Sequence, residues 1–492
     1  MNAEPSPAVA APPDLLDSRD AGGRVIRGGG LRILAYAGGL AAGLVSVPLL
    51  SRHLGVREWG EYQTVTSLIY VVAGITEGGI GLVGTREYAA RDARGRRALI
   101  QDLLGLRLVL TTLGALVAIG FTLVSGYDQR LVVGTAIACI GLYFTNAQVT
   151  LLLPLQVDLR LRWVALIDFL NQALLALLVV LLVAAGSGLL PFFATVGVAS
   201  AVTLTIVLAL VTPAIWPVPR LDLAVWRELL RETALYAGSL ALATLYPKVA
   251  ILTMSLLANE IETGLYALPM RVMDLVAYVP WLLVTTTFPI MVRAHATDSD
   301  RLRYAQQRTF ESMALFGALA SLGLFLAAPF VVRVFGGDDF SGSVSVLRIM
   351  SFSAPFIFMA ATWSFALLAL RAYRAMLFSN AVALALAILL AVILIPPFGA
   401  QGGAAINIAV EATLALGLVV GLGRIRPELR PQRLVLARIM AGFAVGLAAG
   451  LLIPGPSVVQ AAVGLMVATL ALLALRAVPP ELTVEARRLL RR

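Results

Sequence analysis

Lysine occurs once in this 492-residue sequence, at Lys248. It falls inside a long apolar stretch, 234–257, and the next apolar stretch, 264–291, carries Arg271. A charged side chain at the centre of a hydrocarbon layer costs about 3 kcal/mol, so it persists there only with a partner or a task. Counted inward from the facing ends of two antiparallel helices, both cations lie about seven to nine residues deep, which puts them at one level. Two cations at one level suit an anionic group, with Arg forking onto its oxygens and Lys acting as a point charge. A bland reading stands beside this one. Asp274 follows Arg271 at the i,i+3 spacing of a helix-surface ion pair, and the Lys248 stem is long enough to carry its ammonium to an interface.

The acidic residues inside apolar stretches pose the same choice. Glu77 stands among glycines (Glu77-Gly78-Gly79-Ile80-Gly81) shortly before Arg86; it could hold a coupling cation, gate against Arg86, or serve a close helix contact. Glu411 is mid-stretch, where a carboxyl could couple to proton entry or simply pack between helices. Asp168, Asn171 and Gln172 make one polar face, suited to interhelical hydrogen bonds. Arg107 and Arg348 lie near stretch ends and are expected to snorkel. His53 and His295 are far apart and Cys139 is the sole cysteine, so neither a metal site nor a disulfide framework is expected. Asp338-Asp339 is one adjacent pair without companion ligands. With no phosphate-cradling glycine loop, nucleophile motif or HExxH, the chain reads as neither an enzyme nor a nucleotide binder, and no cofactor is expected. Any energy must come from an ion gradient, the membrane potential or mass action.

The elements that position these residues follow from composition. The chain is 59% hydrophobic and 13% charged, with a mean hydropathy of +0.89. Soluble domains average about 45–50% apolar and about 25% charged, so the surplus apolar surface must face lipid. Apolar stretches recur at 31–50, 60–83, 103–125, 131–153, 163–185, 189–212, 234–257, 264–291, 310–334, 345–370, 375–395, 402–423, 434–453 and 457–476. Each is long enough for a membrane-spanning helix, and none alternates as a barrel strand would. The expected fold is an all-α membrane protein of about fourteen transmembrane helices.

Arginine placement orients it. About 30 of the 38 basic residues fall in alternate connections, which predicts a cytoplasmic side for those loops and for both termini. The net charge of +10 is therefore topological and does not indicate nucleic acid, while loops such as Arg91–Arg97 would meet anionic lipid headgroups. Residues 1–23 read as a disordered cytoplasmic tail rather than a signal peptide, and 479–492 as a second tail. The outer loops are short, so no extracytoplasmic domain is expected. A weak repeat is visible: Glu58-Trp59-Gly60-Glu61-Tyr62 and Glu262-Thr263-Gly264-Leu265-Tyr266 each place an acidic residue before Gly-x-Tyr as a helix begins. Six spans apart, they would be parallel repeats about an axis along the membrane normal: an N-lobe at 24–215, a C-lobe at 216–425, and two further helices at 426–478.

Several pieces carry a family likeness: Ser51-Arg52-His53-Leu54-Gly55 with Gly60-Glu61-Tyr62; Glu77 to Gly81 leading to Arg86-Glu87; Tyr246-Pro247-Lys248-Val249 with Glu262 to Ala267; Phe335 to Phe340; and Gly399 to Ala405. In this order the chain resembles a polysaccharide flippase of the multidrug/oligosaccharidyl-lipid/polysaccharide exporter superfamily, similar to the O-antigen and teichoic-acid exporters. The resemblance implies two six-helix lobes around a central cavity in a bacterial cytoplasmic membrane. It implies an undecaprenyl-diphosphate-linked oligosaccharide as cargo, moved from inner to outer leaflet by alternating access and driven by a coupling ion such as H+ or Na+. On that reading Lys248 and Arg271 hold the diphosphate, and Glu77, Arg86, Asp274 and Glu411 serve coupling or gating. The family's Asp after the Tyr of the seventh span is replaced here near Ala250. A drug antiporter of the same superfamily, or a polytopic polymerase or ligase acting on lipid-linked sugars, are the alternatives.

Overall fold

A backbone in hydrocarbon must satisfy every N–H and C=O internally, and long aliphatic stretches do so as helices. The computed structural model describes residues 19–77, 79–211, 218–297, 299–429 and 431–479. Among these there is no strand. The helices are α1 (Arg19–Glu77), α2 (Ile80–Ala90), α3 (Ala93–Val124), α4 (Gln129–Val157), α5 (Leu161–Ala184), α6 (Leu189–Val211), α7 (Leu223–Leu257), α8 (Glu260–Thr297), α9 (Ser299–Gly336), α10 (Ser343–Ser351), α11 (Ala354–Ala369), α12 (Tyr373–Ile425), α13 (Arg433–Leu452) and α14 (Ser457–Ala474). Ten helices among the described residues are long and apolar enough to cross a membrane, or eleven if α10 and α11, bent by 44°, form one span. The outward faces match: Leu113, Leu116 and Val117 on α3 and Leu389, Val392 and Ile393 on α12 are exposed, as a lipid-facing surface requires.

Two helices are too long for a single crossing. The 59 residues of α1 and the 53 of α12 would run about 80–90 Å if straight, against about 30 Å of hydrocarbon. Each contains one non-helical residue, Gly55 in α1 and Gly399 in α12, both at positive φ. The expected total of fourteen requires dividing both helices at these glycines as well as joining α10 to α11. It is a reading of the breaks and not a count of apolar helices. The α1 helix begins at Arg19, so residues 19–23, expected in the N-terminal tail, are helical; no proline interrupts the run from there to Pro48. The rest of that tail (1–18) and 480–492 of the C-terminal one lie outside the described residues.

The packing is layered. α7 lies along α12, α4 along α6, and α1 touches α5, α7 and α8, while α13 and α14 pack on each other and on α9. Many buried hydroxyls bond back to their own helices, as Thr135 does to Leu131 O and Thr203 to Ala199 O, and so are satisfied locally. After α9 the chain turns at Gly337 into a short 3-10 turn, Asp338–Phe340. Asp338 pairs with Arg333 at 3.1 Å with both side chains exposed, whereas Phe340 is fully buried. The turn is thus anchored by its aromatic residue and not by its acids. Phe340→Ala is expected to cost about 3–5 kcal/mol of stability and to lower the thermal melting temperature in detergent. Asp338→Asn with Asp339→Asn is expected to leave it unchanged.

Candidate functional site

A tight turn joins α7 to α8, with Asn259 Oδ1 accepting the Glu262 N–H at 2.8 Å as the helix starts. From this turn Lys248 lies about ten residues back along α7 and Arg271 about eleven along α8, so both stand about 15 Å from it. The antiparallel helices thereby bring the two cations together, and a single carboxylate receives both. Lys248 Nζ lies 3.2 Å from Asp274 Oδ2, and Arg271 Nη1 lies 3.7 Å from the same oxygen. Lys248 is buried and its ammonium sits 5.1 Å from the Tyr70 ring centroid on α1, a cation–π distance. Arg271 is nearly half exposed. Both readings of the sequence meet here: Arg271 does pair with Asp274, but Lys248 points to the same acid and does not reach for an interface. Two cations on one carboxylate leave the cluster with a formal surplus of one positive charge.

Asp274 also lines a cavity of about 420 Å³ between α7, α8, α11 and α12, together with Tyr246, Trp281, Asn380, Asn407 and Glu411. In the same lining the Tyr246 hydroxyl donates to Glu411 Oε1 at 3.2 Å, and Asn380 Nδ2 donates to Ser239 Oγ at 3.1 Å. Glu411 is buried, and Asn407 Oδ1 is buried with no partner. Carboxyl, amide and phenol oxygens around one space can hold a proton or a small cation. Among the described residues no group of three His, Cys, Asp or Glu side chains is placed to hold a metal ion.

Glu77 is placed differently from the expected gate. The chain breaks after it and restarts as α2 from Gly79, whose positive φ of 72° favours glycine. Glu77 Oε1 accepts the Gly81 N–H at 3.1 Å, satisfying one orphan donor of the new helix. Its other oxygen pairs with Arg107. Arg86 is on the surface and pairs with Glu87 at 3.0 Å, and of the options open to Glu77 the carboxylate takes Arg107, not Arg86, as its ion-pair partner. Arg107 was expected to snorkel because it lies only a few residues into an apolar stretch. α3 in fact begins at Ala93, so Arg107 stands about 21 Å along the helix and is buried. Arg348 is half-buried, with its guanidinium over the Phe325 ring at 5.7 Å. The polar face of α5 does bond between helices: Asn171 Nδ2 donates to Gln148 Oε1 at 3.1 Å, which Thr203 also reaches.

The two copies of the Gly-x-Tyr repeat touch. A methyl on Gly60 would overlap the Glu260 carbonyl oxygen, and a methyl on Gly264 would overlap the Val56 carbonyl oxygen. Residues 56 and 60 are the counterparts of 260 and 264 at one constant offset, so the contact is reciprocal, as a two-fold relation demands. Beside it, Ser51 and Arg52 on α1 donate to the carbonyls of Phe335 and Arg333 at the end of α9. At this end of the molecule α1 is therefore joined to both α8 and α9.

Residues 25–295 match the polysaccharide biosynthesis protein family. No curated protein matches the sequence significantly. Among solved structures the fold is similar to a lipid II flippase MurJ in an inward closed conformation, with a TM-score of 0.76 at 12% identity over 90% of this chain and 97% of that one. It is also similar to an inward-facing multidrug resistance MATE family transporter of the MOP superfamily, at TM-score 0.63, 16% identity, and 81% and 98% coverage. An outward-facing MATE structure gives 0.58, 16%, and 82% and 96%.

Proposed function

The chain belongs to the polysaccharide biosynthesis protein family, and from that premise we propose that it is a flippase carrying an undecaprenyl-diphosphate-linked oligosaccharide from the inner to the outer leaflet of a bacterial cytoplasmic membrane. Both termini are cytoplasmic in this reading, and lobes at 24–215 and 216–425 alternate in access, with 426–478 outside the transport core. The observation that carries it is the Lys248–Asp274–Arg271 cluster at the edge of a cavity. An empty carrier with two membrane cations needs a counter-ion, and Asp274 supplies one that a diphosphate can displace. Once displaced, the two cations hold an anionic head that would otherwise cross a low-dielectric region alone. Release then returns the cations to Asp274. Glu411, hydrogen-bonded to Tyr246 in the same cavity, takes the coupling ion, H+ or Na+, and Glu77 with Arg107 holds the break between α1 and α2 in the other lobe.

The test is movement of a polyprenyl-diphosphate oligosaccharide across proteoliposomes, read by accessibility of the sugar to an external lectin. Protein-dependent movement at least about tenfold above protein-free vesicles is expected, because a charged head crosses a bare bilayer very slowly. Absence of movement for any such lipid, together with extrusion of a cationic dye, would establish the drug-antiporter alternative. Growth of the glycan during the assay, seen by mass spectrometry, would establish the polymerase.

A further inference from the structure

A second cavity, of about 400 Å³, lies in the other half of the molecule between α3, α4 and α6. Its walls are largely aliphatic, with Leu104, Leu151, Leu204 and Leu208 among them, and Arg107 is the sole charged residue among the described residues of its lining. The Arg107 side chain is 3% exposed, one nitrogen pairs with Glu77, and Nε and Nη1 have no acceptor among the described residues. Buried donors are costly to leave idle, and charged ones most of all. Thr111 and Asn146 stand beside it in the same lining, but Asn146 Nδ2 already donates to Thr111 Oγ1 at 2.7 Å. Leu108 and Phe144, in the cavity's lining, are exposed on the side where α3 also presents Leu116 and Leu123. The cavity thus meets the lipid-facing surface of the protein.

We propose that this cavity is a binding site for an anionic phospholipid of the bilayer, whose phosphate oxygens accept from Arg107 Nε and Nη1 while its glycerol and upper acyl carbons fill the leucine-lined space. Donor complementarity selects the headgroup: an amphiphile without phosphate oxygens, such as diacylglycerol, would leave the two donors idle, and the fixed cation of phosphatidylcholine would be repelled by the guanidinium. The aliphatic walls select a lipid over free phosphate, and the volume is near the lower end of small-ligand sites. The site is separate from the Asp274 cluster and does not depend on the flippase reading.

The test is native mass spectrometry of the full chain released from nanodiscs containing phosphatidylglycerol, phosphatidylcholine or diacylglycerol, with no transport measured. One phosphatidylglycerol is expected to be retained, and diacylglycerol about tenfold less, the difference of one charged hydrogen-bond acceptor. Leu204→Trp, which fills the cavity without touching the ion pair, is expected to lower phosphatidylglycerol retention by a similar factor. Glu77→Gln with Arg107→Met, which removes the pair together, is expected to abolish the headgroup preference. Equal retention of diacylglycerol, or full retention by the tryptophan variant, would overturn the proposal. So would displacement by inorganic phosphate alone, or by undecaprenyl diphosphate in preference to phosphatidylglycerol, which would give the site to a free anion or to the cargo.

Discussion

Gly264→Leu is expected to block closure of the end where α1 meets α8 and to reduce transport by about a hundredfold. The contact it strikes is the Val56 carbonyl oxygen, a backbone atom in the first turn after the Gly55 break that cannot swing aside as a side chain would. Overpacking a tight contact costs about 1–3 kcal/mol and sometimes more; at about 3 kcal/mol the closed state would lose a factor of about 150 in population. A carrier that alternates must close this end once per cycle, so the loss appears in rate. Gly60→Leu should act alike, because its methylene meets the Glu260 carbonyl in the reciprocal position. The check is labelling of a cysteine at Ala277, a residue lining the Asp274 cavity, in a Cys139→Ala background. An impermeant maleimide is added from the Gly55 side, which the arginine distribution assigns to the outside. Faster labelling with slower flipping is the expected result. Unchanged labelling and full transport in both variants, with the fold intact by gel filtration, would show that the contact does not gate access.

How much of this was legible beforehand depends on what each feature requires. Helices need only a run of apolar residues, so the all-α membrane fold could be read directly. The shared level of Lys248 and Arg271 needed one further fact, that α7 and α8 are antiparallel about a short turn, and rise per residue supplied the rest. Their convergence on Asp274 was not readable, because it depends on how far α7 is rotated about its own axis relative to α8, and no local spacing encodes that. Arg107 shows the opposite failure. Hydropathy begins the third stretch near residue 103, since Arg94, Arg96, Arg97 and Asp102 dilute the preceding turns, yet the helix begins at Ala93 under the Asp92 cap, whose side chain accepts from the Gly95 N–H at 2.9 Å. The partner of Glu77 was therefore sought at Arg86, near in sequence, when it stood thirty residues away on a neighbouring helix. The Gly-x-Tyr repeat was weak as a pattern of letters; what gives it substance is that equivalent residues of the two copies meet each other.

Replacing Asp274 should separate binding from turnover. Lys248→Met with Arg271→Met removes both cations, each worth about 1.5–3 kcal/mol in a charge-assisted hydrogen bond, and is expected to lower affinity for a polyprenyl diphosphate by about a hundredfold or more. Arg271→Lys should lose part of that, since an ammonium cannot fork across two phosphate oxygens. Asp274→Asn acts in the other direction. With the internal counter-ion gone, the two cations have no carboxylate to return to, and the diphosphate no longer competes for them. Apparent affinity is expected to rise by about tenfold, the value of one such competing contact, while turnover falls because release now leaves two unpaired charges in the membrane. Equilibrium binding and flipping rate, measured on the same variant, therefore move apart. A purely structural ion pair predicts something else: Asp274→Asn would weaken binding and transport together, in step with a lowered melting temperature. A cationic cargo would bind Asp274 itself, so its binding and transport would be lost with the acid while the melting temperature stayed unchanged. Melting temperature thus separates those two readings, and only displacement of Asp274 by an anion gives tighter binding with slower release.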